Sequence, residues 1–409
     1  MVIPKLRFKE FDGDWNNSSL LNLSFDKTLS NGVFNDQNKV GKGYKLINVL
    51  DMYIERDINE SRLSLLDLSQ QEFERNKVKY GDIFFTRSSL VKEGIAYSNV
   101  YLGSNNDITY DGHLIKLSPN LEQINPIFLN YGLKTSKVRK QLIQGGKTAT
   151  MTTIGQKEIA STKIDIPLLK EQTKIATFLS AVDEKIAQLS QKLHLLGQYK
   201  QGMMQKLFSQ QIRFKADDGS EFGELKIGKL GDMTSIQGGF AFKSTNFGKG
   251  ITKVIRIGDI EKNINLNLFS GICSNEIPDT RYLISENAIV MALSGATFGK
   301  LGKVKQGSAY INQRVATFHV FEDSLNEFVY QIMLSQEFTT YIQSIPSASA
   351  QPNISNQDVI NFDMLIPCLE EQTKIANFLS AIDQKMDVVS EQLKQAKIWK
   401  KGLLQQMFV

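Results

Sequence analysis

The sequence predicts an α+β (mixed α/β) protein of two globular domains separated by a long antiparallel two-helix coiled coil, with pseudo-two-fold symmetry. A repeated segment, a heptad stripe behind each copy and short strand-like runs in the intervening regions carry that prediction. The segment IPLLKEQTKIATFLSAVDEKI begins at Ile166 and returns as IPCLEEQTKIANFLSAIDQKM at Ile366. Inside it, EQTKIATFLSA and EQTKIANFLSA differ only at Thr177 against Asn377. Each copy runs into a helix-like tail that closes on Gly202 and Phe208, or on Gly402 and Phe408. The organisation expected is therefore a globular domain over 1–165, a helix over 166–208, a second domain over 209–365 and a second helix over 366–409.

Both tails carry apolar residues at alternating spacings of three and four. The first seam reads Ile175, Leu179, Val182, Ile186, Leu189 and Leu193; the second reads Ile375, Leu379, Ile382, Met386, Val389 and Leu393. A stripe sustained over this many heptads predicts a coiled-coil seam, and two matching stripes in one chain can close on each other. Lys200 and Lys400 interrupt both seams at the same position, where a polar residue costs stability and fixes register. Pro167 and Pro367 precede the helices and glutamates occupy their first turns, as helix starts favour. Each helix of ~38 residues would be ~55–60 Å long. The aromatics Phe178, Phe378, Tyr199, Trp399, Phe208 and Phe408 lie off the seam. They either widen the core or stand exposed as partner anchors.

The regions before the tails read as short strands bounded by Gly, Asn and Ser: YKLINVL from Tyr44, GDIFFTR from Gly81, HLIKL from His113, KVIRIGDI from Lys253, NAIVMAL from Asn287 and RVATFHVF from Arg314. One helix is expected near the end of each region, around 126–143 and 324–345. Arg7-Phe8-Lys9 is echoed by Arg213-Phe214-Lys215. The tails have stayed alike and so do one job twice; the globular regions differ and so bind two different things.

With 409 residues, 41% apolar and 22% charged, the composition is that of a globular protein large enough for two or three domains. The net charge of +5 neither demands nor excludes nucleic acid. Two distant cysteines, Cys273 and Cys368, argue against disulfides and zinc. No apolar run is long enough for a bilayer span and the start lacks a signal-peptide core, so a cytoplasmic protein with no membrane partner is expected. GxxxxGK[ST], HExxH and GxSxG are absent, and Gly41-Lys42-Gly43 and Gly248-Lys249-Gly250 lack the rest of a phosphate loop. His113, His194 and His319 stand apart. The eight prolines are never adjacent, so the Asn-Pro-Pro of amino-directed DNA methyltransferases cannot occur. No catalytic centre and no metal site are expected in this chain.

The doubled segment IPLLKEQTKIATFLSAVD and IPCLEEQTKIANFLSAID, each behind a variable region, resembles the DNA-specificity (S) subunit of type I restriction–modification enzymes. The family's boundary segments carry the same Pro, Glu-Gln and downstream Ile, and Gly81-Asp82-Ile83 is similar to its Gly-Asp-Ile-Leu strand. The resemblance implies two target-recognition domains, each reading one half of an asymmetric, interrupted site in double-stranded DNA. It implies that the helices set the spacer and dock two methyltransferase (modification) subunits, with restriction/translocase subunits joining them. S-adenosylmethionine, ATP and Mg would belong to those partners, and this chain would hold no cofactor. The competing readings are a two-armed coiled-coil scaffold bridging protein partners and an enzyme with a degenerate site.

Groove-reading needs Arg, Lys, Asn, Gln, Ser or Thr on loops. In the first region the DNA-binding candidates are Lys42, Tyr44, Arg87, Ser88, Ser89 and Lys92, with Lys147, Thr148 and Thr150 from the loop GGKTAT. In the second they are Lys243, Arg256, Ser294, Thr297, Lys300, Asn312, Gln313, Arg314 and Gln351. Arg87 and Arg314 lead, because arginine makes a bidentate contact with guanine.

Overall fold

A computed structural model describes residues 3–34, 36–345 and 354–409. Its two long helices span Leu169–Phe208 and Leu369–Met407. The chain divides into two compact units, Met1–Ser190 with Glu391–Val409, and Gln191–Ser390. Each unit therefore takes one variable region, the first turns of the helix that follows it and the last turns of the other helix.

In the first unit a four-stranded sheet runs in the order Ser30–Asn31, Leu114–Leu117, Ile83–Thr86, Ser98–Val100. A three-stranded sheet places Val40–Ile47 between Ser64–Leu66 and Ile108–Tyr110. The second unit has a five-stranded sheet, ordered Thr234–Gly238, Val315–Val320, Ile289–Ala292, Leu301–Gln306, Asn263–Asn265, and a four-stranded one built on Phe247–Ile255. The apolar runs expected as strands are strands because they are buried on both faces: Ile83, Phe84 and Phe85 are fully enclosed, as are Ile289, Val290 and Met291. Where the sequence suggests one helix at the end of each region, there are two. Pro126–Leu133 is followed by Ser136–Gly145, and Asn326–Met333 by Gln336–Ser344. The break falls at Thr135 and Ser335; the Ser335 hydroxyl caps the new helix by accepting from Phe338 N at 3.1 Å.

The seam residues face inward in both units. Ile175, Leu179, Val182 and Ile186 enter the first core beside Leu403 and Met407, with Leu393 packed against it. Ile375, Leu379 and Ile382 enter the second beside Met204 and Leu207, with Met386 packed against it. Leu189 and Val389 are also buried, and Leu193 is half-buried. Each fully buried aliphatic side chain contributes ~1.5–3 kcal/mol. In the second unit the helix segments run antiparallel: Lys200 meets Asp383, and Gly197 faces Met386.

The lysines that interrupt the seam are paired. Lys200 Nζ lies 2.7 Å from Asp383 Oδ2, and Lys400 Nζ lies 2.5 Å from Asp183 Oδ1. Burial draws Lys200 below its ordinary pKa despite Asp383. Burial pushes the Asp383 carboxyl up, but Lys200, Gln331 and Lys262 together outweigh it and hold the group below its usual range. Off the seam, Phe178 packs edge-on against Phe8 and Trp399, and Phe378 against Phe214 and Tyr199. Phe408 stacks on Phe128, and Phe208 meets Phe328 edge-on. The four phenylalanines thus widen the cores, whereas Tyr199 and Trp399 remain about half exposed.

The repeated Glu-Gln explains why the helix starts are alike. Arg7 forks onto Glu171 at 2.8 and 2.7 Å, and Arg213 onto Glu371 at 3.0 and 2.6 Å. Gln172 accepts from Asn125 N and donates to Pro167 O; Gln372 accepts from Leu325 N and donates to Pro367 O. Each pair ties the segment preceding a domain and the start of its terminal helices to one long helix, so neither side chain can drift without orphaning a buried partner.

Candidate nucleic-acid interface

In the first unit the strand Ile83–Thr86 leads into Arg87. Its backbone is held from both sides: Arg87 N donates to His113 O at 2.9 Å, and Ile154 N donates to Arg87 O at 3.0 Å. The Arg87 side chain is exposed and makes no ion pair among the described residues. Ser88 and Ser89 pair with Thr153 and Thr152, which pair in turn with Lys147 and Thr148. The two sequence-predicted loops therefore meet in one small sheet. Thr150 is exposed in its hairpin turn, and the Thr148 and Thr152 hydroxyls lie 2.9 Å apart.

Beneath that sheet, Arg139 braces the loop that carries exposed Lys92. Its guanidinium donates to Glu93 O, Ile95 O and Ala96 O at 2.8, 2.7 and 2.6 Å. Burial pulls Arg139 below its ordinary pKa, but the carbonyls take up three of its five donors. Sequence reading missed Arg139, since nothing in KVRKQ marks one basic residue as inward-facing. It also set aside His113, which lies beside Arg87, is largely exposed and holds Asp111 Oδ1 at 2.8 Å through Nδ1.

Lys42 and Tyr44 are not in this cluster; they lie on the strand Val40–Ile47 of the other sheet. Lys42 pairs with Asp67 at 3.0 Å. Tyr44 lies flat on Phe73, with ring centroids 3.8 Å apart, and its hydroxyl donates to Gln70 Oε1 at 2.5 Å.

The second unit repeats the junction with other side chains. Leu293 N donates to Arg314 O and Ile354 N to Leu293 O, both at 2.9 Å. Leu293 thus stands where Arg87 stands, and Arg314 where His113 stands. Asn312 N donates to Ile255 O, as Asp111 N does to Ile47 O, which sets Arg256 beside Asn312, Gln313 and Arg314. Gln313 and Arg314 are exposed, and Arg256 Nε lies 3.4 Å from Asp259 Oδ2. Thr297 donates to Ile257 O at 3.3 Å, bringing the loop 293–299 to the same cluster, with Lys300 exposed at its end.

Ser294 departs from expectation. It is 7% exposed, following Leu293 into the sheet junction, and its hydroxyl has no partner among the described residues. It cannot reach a groove from there. Lys243 is exposed but lies apart, its N–H donating to Glu276 Oε1. Gln351 lies outside the described residues.

The fold and these two loop clusters define a two-headed binding protein, each head presenting polar and basic side chains from a rigid sheet edge. The family model described as the type I restriction modification DNA specificity domain matches residues 26–196 and again 223–397, and the chain belongs to that family. It is 26% identical to the putative type I restriction enzyme MjaX specificity subunit of Methanocaldococcus jannaschii, over 98% of this chain and 94% of that one. It is 25% identical to the MjaVIII specificity subunit of the same organism, over 77% of this chain and 76% of that one. The crystal structure of a type I restriction–modification system S subunit from M. genitalium has the same fold, with a TM-score of 0.62 at 15% identity over 100% of this chain and 99% of that one. No helix among the described residues is long and apolar enough to cross a membrane.

Proposed function

We propose that this chain is the non-catalytic DNA-specificity subunit of a type I restriction–modification complex, and that each unit reads one half of an asymmetric bipartite site. The observation that carries this reading is the shared junction with exchanged chemistry. One backbone arrangement presents Arg87 and His113 in one unit, and Leu293 and Arg314 in the other. Two readers built alike but equipped differently recognise different base edges, so the target is not a palindrome.

The long helices set the spacer between half-sites and dock two methyltransferase subunits, to which restriction/translocase subunits add. S-adenosylmethionine, ATP and Mg2+ are held by those partners. Exposed Tyr199 and Trp399 belong to the docking face, since large aromatics dominate interface energetics. The complex acts in the cytoplasm on chromosomal DNA.

The test is single-molecule sequencing for N6-methyladenine in cells that express the chain with its methyltransferase subunit. A new bipartite, non-palindromic methylated motif is expected. A formed complex that adds no motif would leave the two-armed protein scaffold as the better reading.

A further inference from the structure

The strand at the centre of each smaller sheet is interrupted in the same way. Val40 and Tyr44 both pair with Leu66, so residues 41–43 are looped out between them. Phe247 and Thr252 both pair with Ser274, so residues 248–251 are looped out. Both excursions contain Gly-Lys-Gly, the second with Ile251 added, and all four glycines have positive φ: 107° and 93° at Gly41 and Gly43, 76° and 74° at Gly248 and Gly250. A Cβ at Gly43 would lie 2.4 Å from Leu66 O, and one at Gly250 2.5 Å from Ser274 O, so only glycine fits. A Cβ at Gly41 or Gly248 would meet nothing within 4 Å. Beyond that close backbone approach the tip of the finger packs on nothing, and a continuous strand would do without it. What it does is hold one lysine out in solvent.

Around the fingers the side chains have diverged: Tyr44 against Thr252, Asp67 against Asn275. A projection kept in two readers of different bases should touch what all DNA shares. We propose that these fingers grip the phosphate backbone through Lys42 and Lys249, adding affinity and orientation but no sequence information. The inference rests on the function proposed above.

The chemistry suits the task. An ammonium on a flexible stem is a point-charge phosphate ligand, whereas planar base recognition favours arginine. Each finger strand ends beside a base-reading cluster, through Asp111 N to Ile47 O and Asn312 N to Ile255 O. Three strand steps separate the finger from that cluster, Tyr44 to Ile47 and Thr252 to Ile255, which is roughly 10 Å at about 3.3 Å per residue. With the reach of the looped-out lysine added, that is comparable to the ~12 Å width of the major groove, so a head reading bases there can reach a flanking backbone. Lys42 must leave Asp67 to bind, while Lys249 has no carboxylate partner among the described residues. Lys249 is the stronger grip.

The test uses the full chain in complex with its methyltransferase subunits, titrated by fluorescence anisotropy onto target and scrambled duplexes across a salt series. K42A/K249A is expected to weaken binding equally on both duplexes. It should flatten the plot of log K against log salt by about 2, close to one for each phosphate no longer neutralised. The methylated motif stays the same, K42R/K249R keeps the slope, and K249A weakens binding more than K42A. An unchanged slope in K42A/K249A, or a weakening confined to the target duplex, would overturn the proposal while leaving the specificity reading intact. A wild-type complex without preference for its target sinks both together.

Discussion

At the start of the long helices the two units are near copies; at the sheet junctions they are not. Arg7 on Glu171 and Arg213 on Glu371 repeat to within a few tenths of an ångström, and the Gln172 and Gln372 bonds repeat with them. At the junctions, arginine becomes leucine (Arg87, Leu293), histidine becomes arginine (His113, Arg314) and Asp111 becomes Asn312. Each region repeats its hydrogen bonds in both units, through side chains at the helix starts and through the backbone at the junctions. What differs is whether the side chain is committed to the protein. Glu171 and Glu371 are buried and paired; Arg87 and Arg314 are exposed and uncommitted. Buried pairs hold the geometry, and the exposed side chains are left free to meet a ligand.

The sharpest way to break that comparison is to attack the committed side. Asp383 accepts from Lys200 and Gln331 and lies 3.0 Å from Lys262. Asp383→Ala should cost ~3–5 kcal/mol in urea unfolding, because it strands a buried lysine. Asp183→Ala should cost less, since its partner Lys400 is 22% exposed against 11% for Lys200. Equal losses would contradict the assignment of the effect to burial.

Lys134 offers a pH test within the first unit. Burial, with Lys400 nearby, brings its pKa down to about 8, below its unfolded value. Below pH 8 both states are protonated and the full penalty applies; between about 8 and 10.5 only the unfolded chain holds the proton, so stability rises with pH. Lys134→Met should gain on the order of 1–3 kcal/mol at pH 7 and remove that rise. A rise surviving in the variant would assign it to another group.

On the uncommitted side, Arg87→Ala should leave the urea midpoint within about 0.5 kcal/mol of wild type. Competition binding with the methyltransferase subunits present should show ~1–3 kcal/mol less discrimination between target and mismatched duplexes. A folding defect of several kcal/mol would place Arg87 with the frame. Ser335→Ala is the smallest effect, about 1 kcal/mol from the lost cap of Gln336–Ser344, with DNA preference unaltered.

The repeat made the frame legible. Period and identity located both helices and their seams, and the echo of Arg7-Phe8-Lys9 in Arg213-Phe214-Lys215 foreshadowed the forked ion pairs, though not their partners. Long, buried apolar runs gave the strands. Short strands such as Ser98–Val100 and Ala309–Ile311 were missed because they are defined by pairing rather than by composition. The break at Ser335 was missed because a lone serine is a weak cap signal until its partner N–H is known. At the interface, Arg87 and the GGKTAT loop were visible as exposed polar loops, yet their meeting depends on register, which no local pattern reveals. Arg139, His113 and the seated hydroxyl of Ser294 needed burial to be told apart from ordinary surface residues. The Gly-Lys-Gly fingers are visible as a pattern, but composition alone suggests only a phosphate loop for nucleotides. Their meaning comes from the strand pairing.

The most direct test of the account is to map N6-methyladenine genome-wide for Arg87→Ala and Arg314→Ala side by side, each with the methyltransferase subunit. The account predicts that each variant relaxes bases in one half of the bipartite motif, in different halves, with the spacer unchanged. Relaxation of the same half by both variants, or of both halves by either, would contradict the assignment of one half-site to each unit.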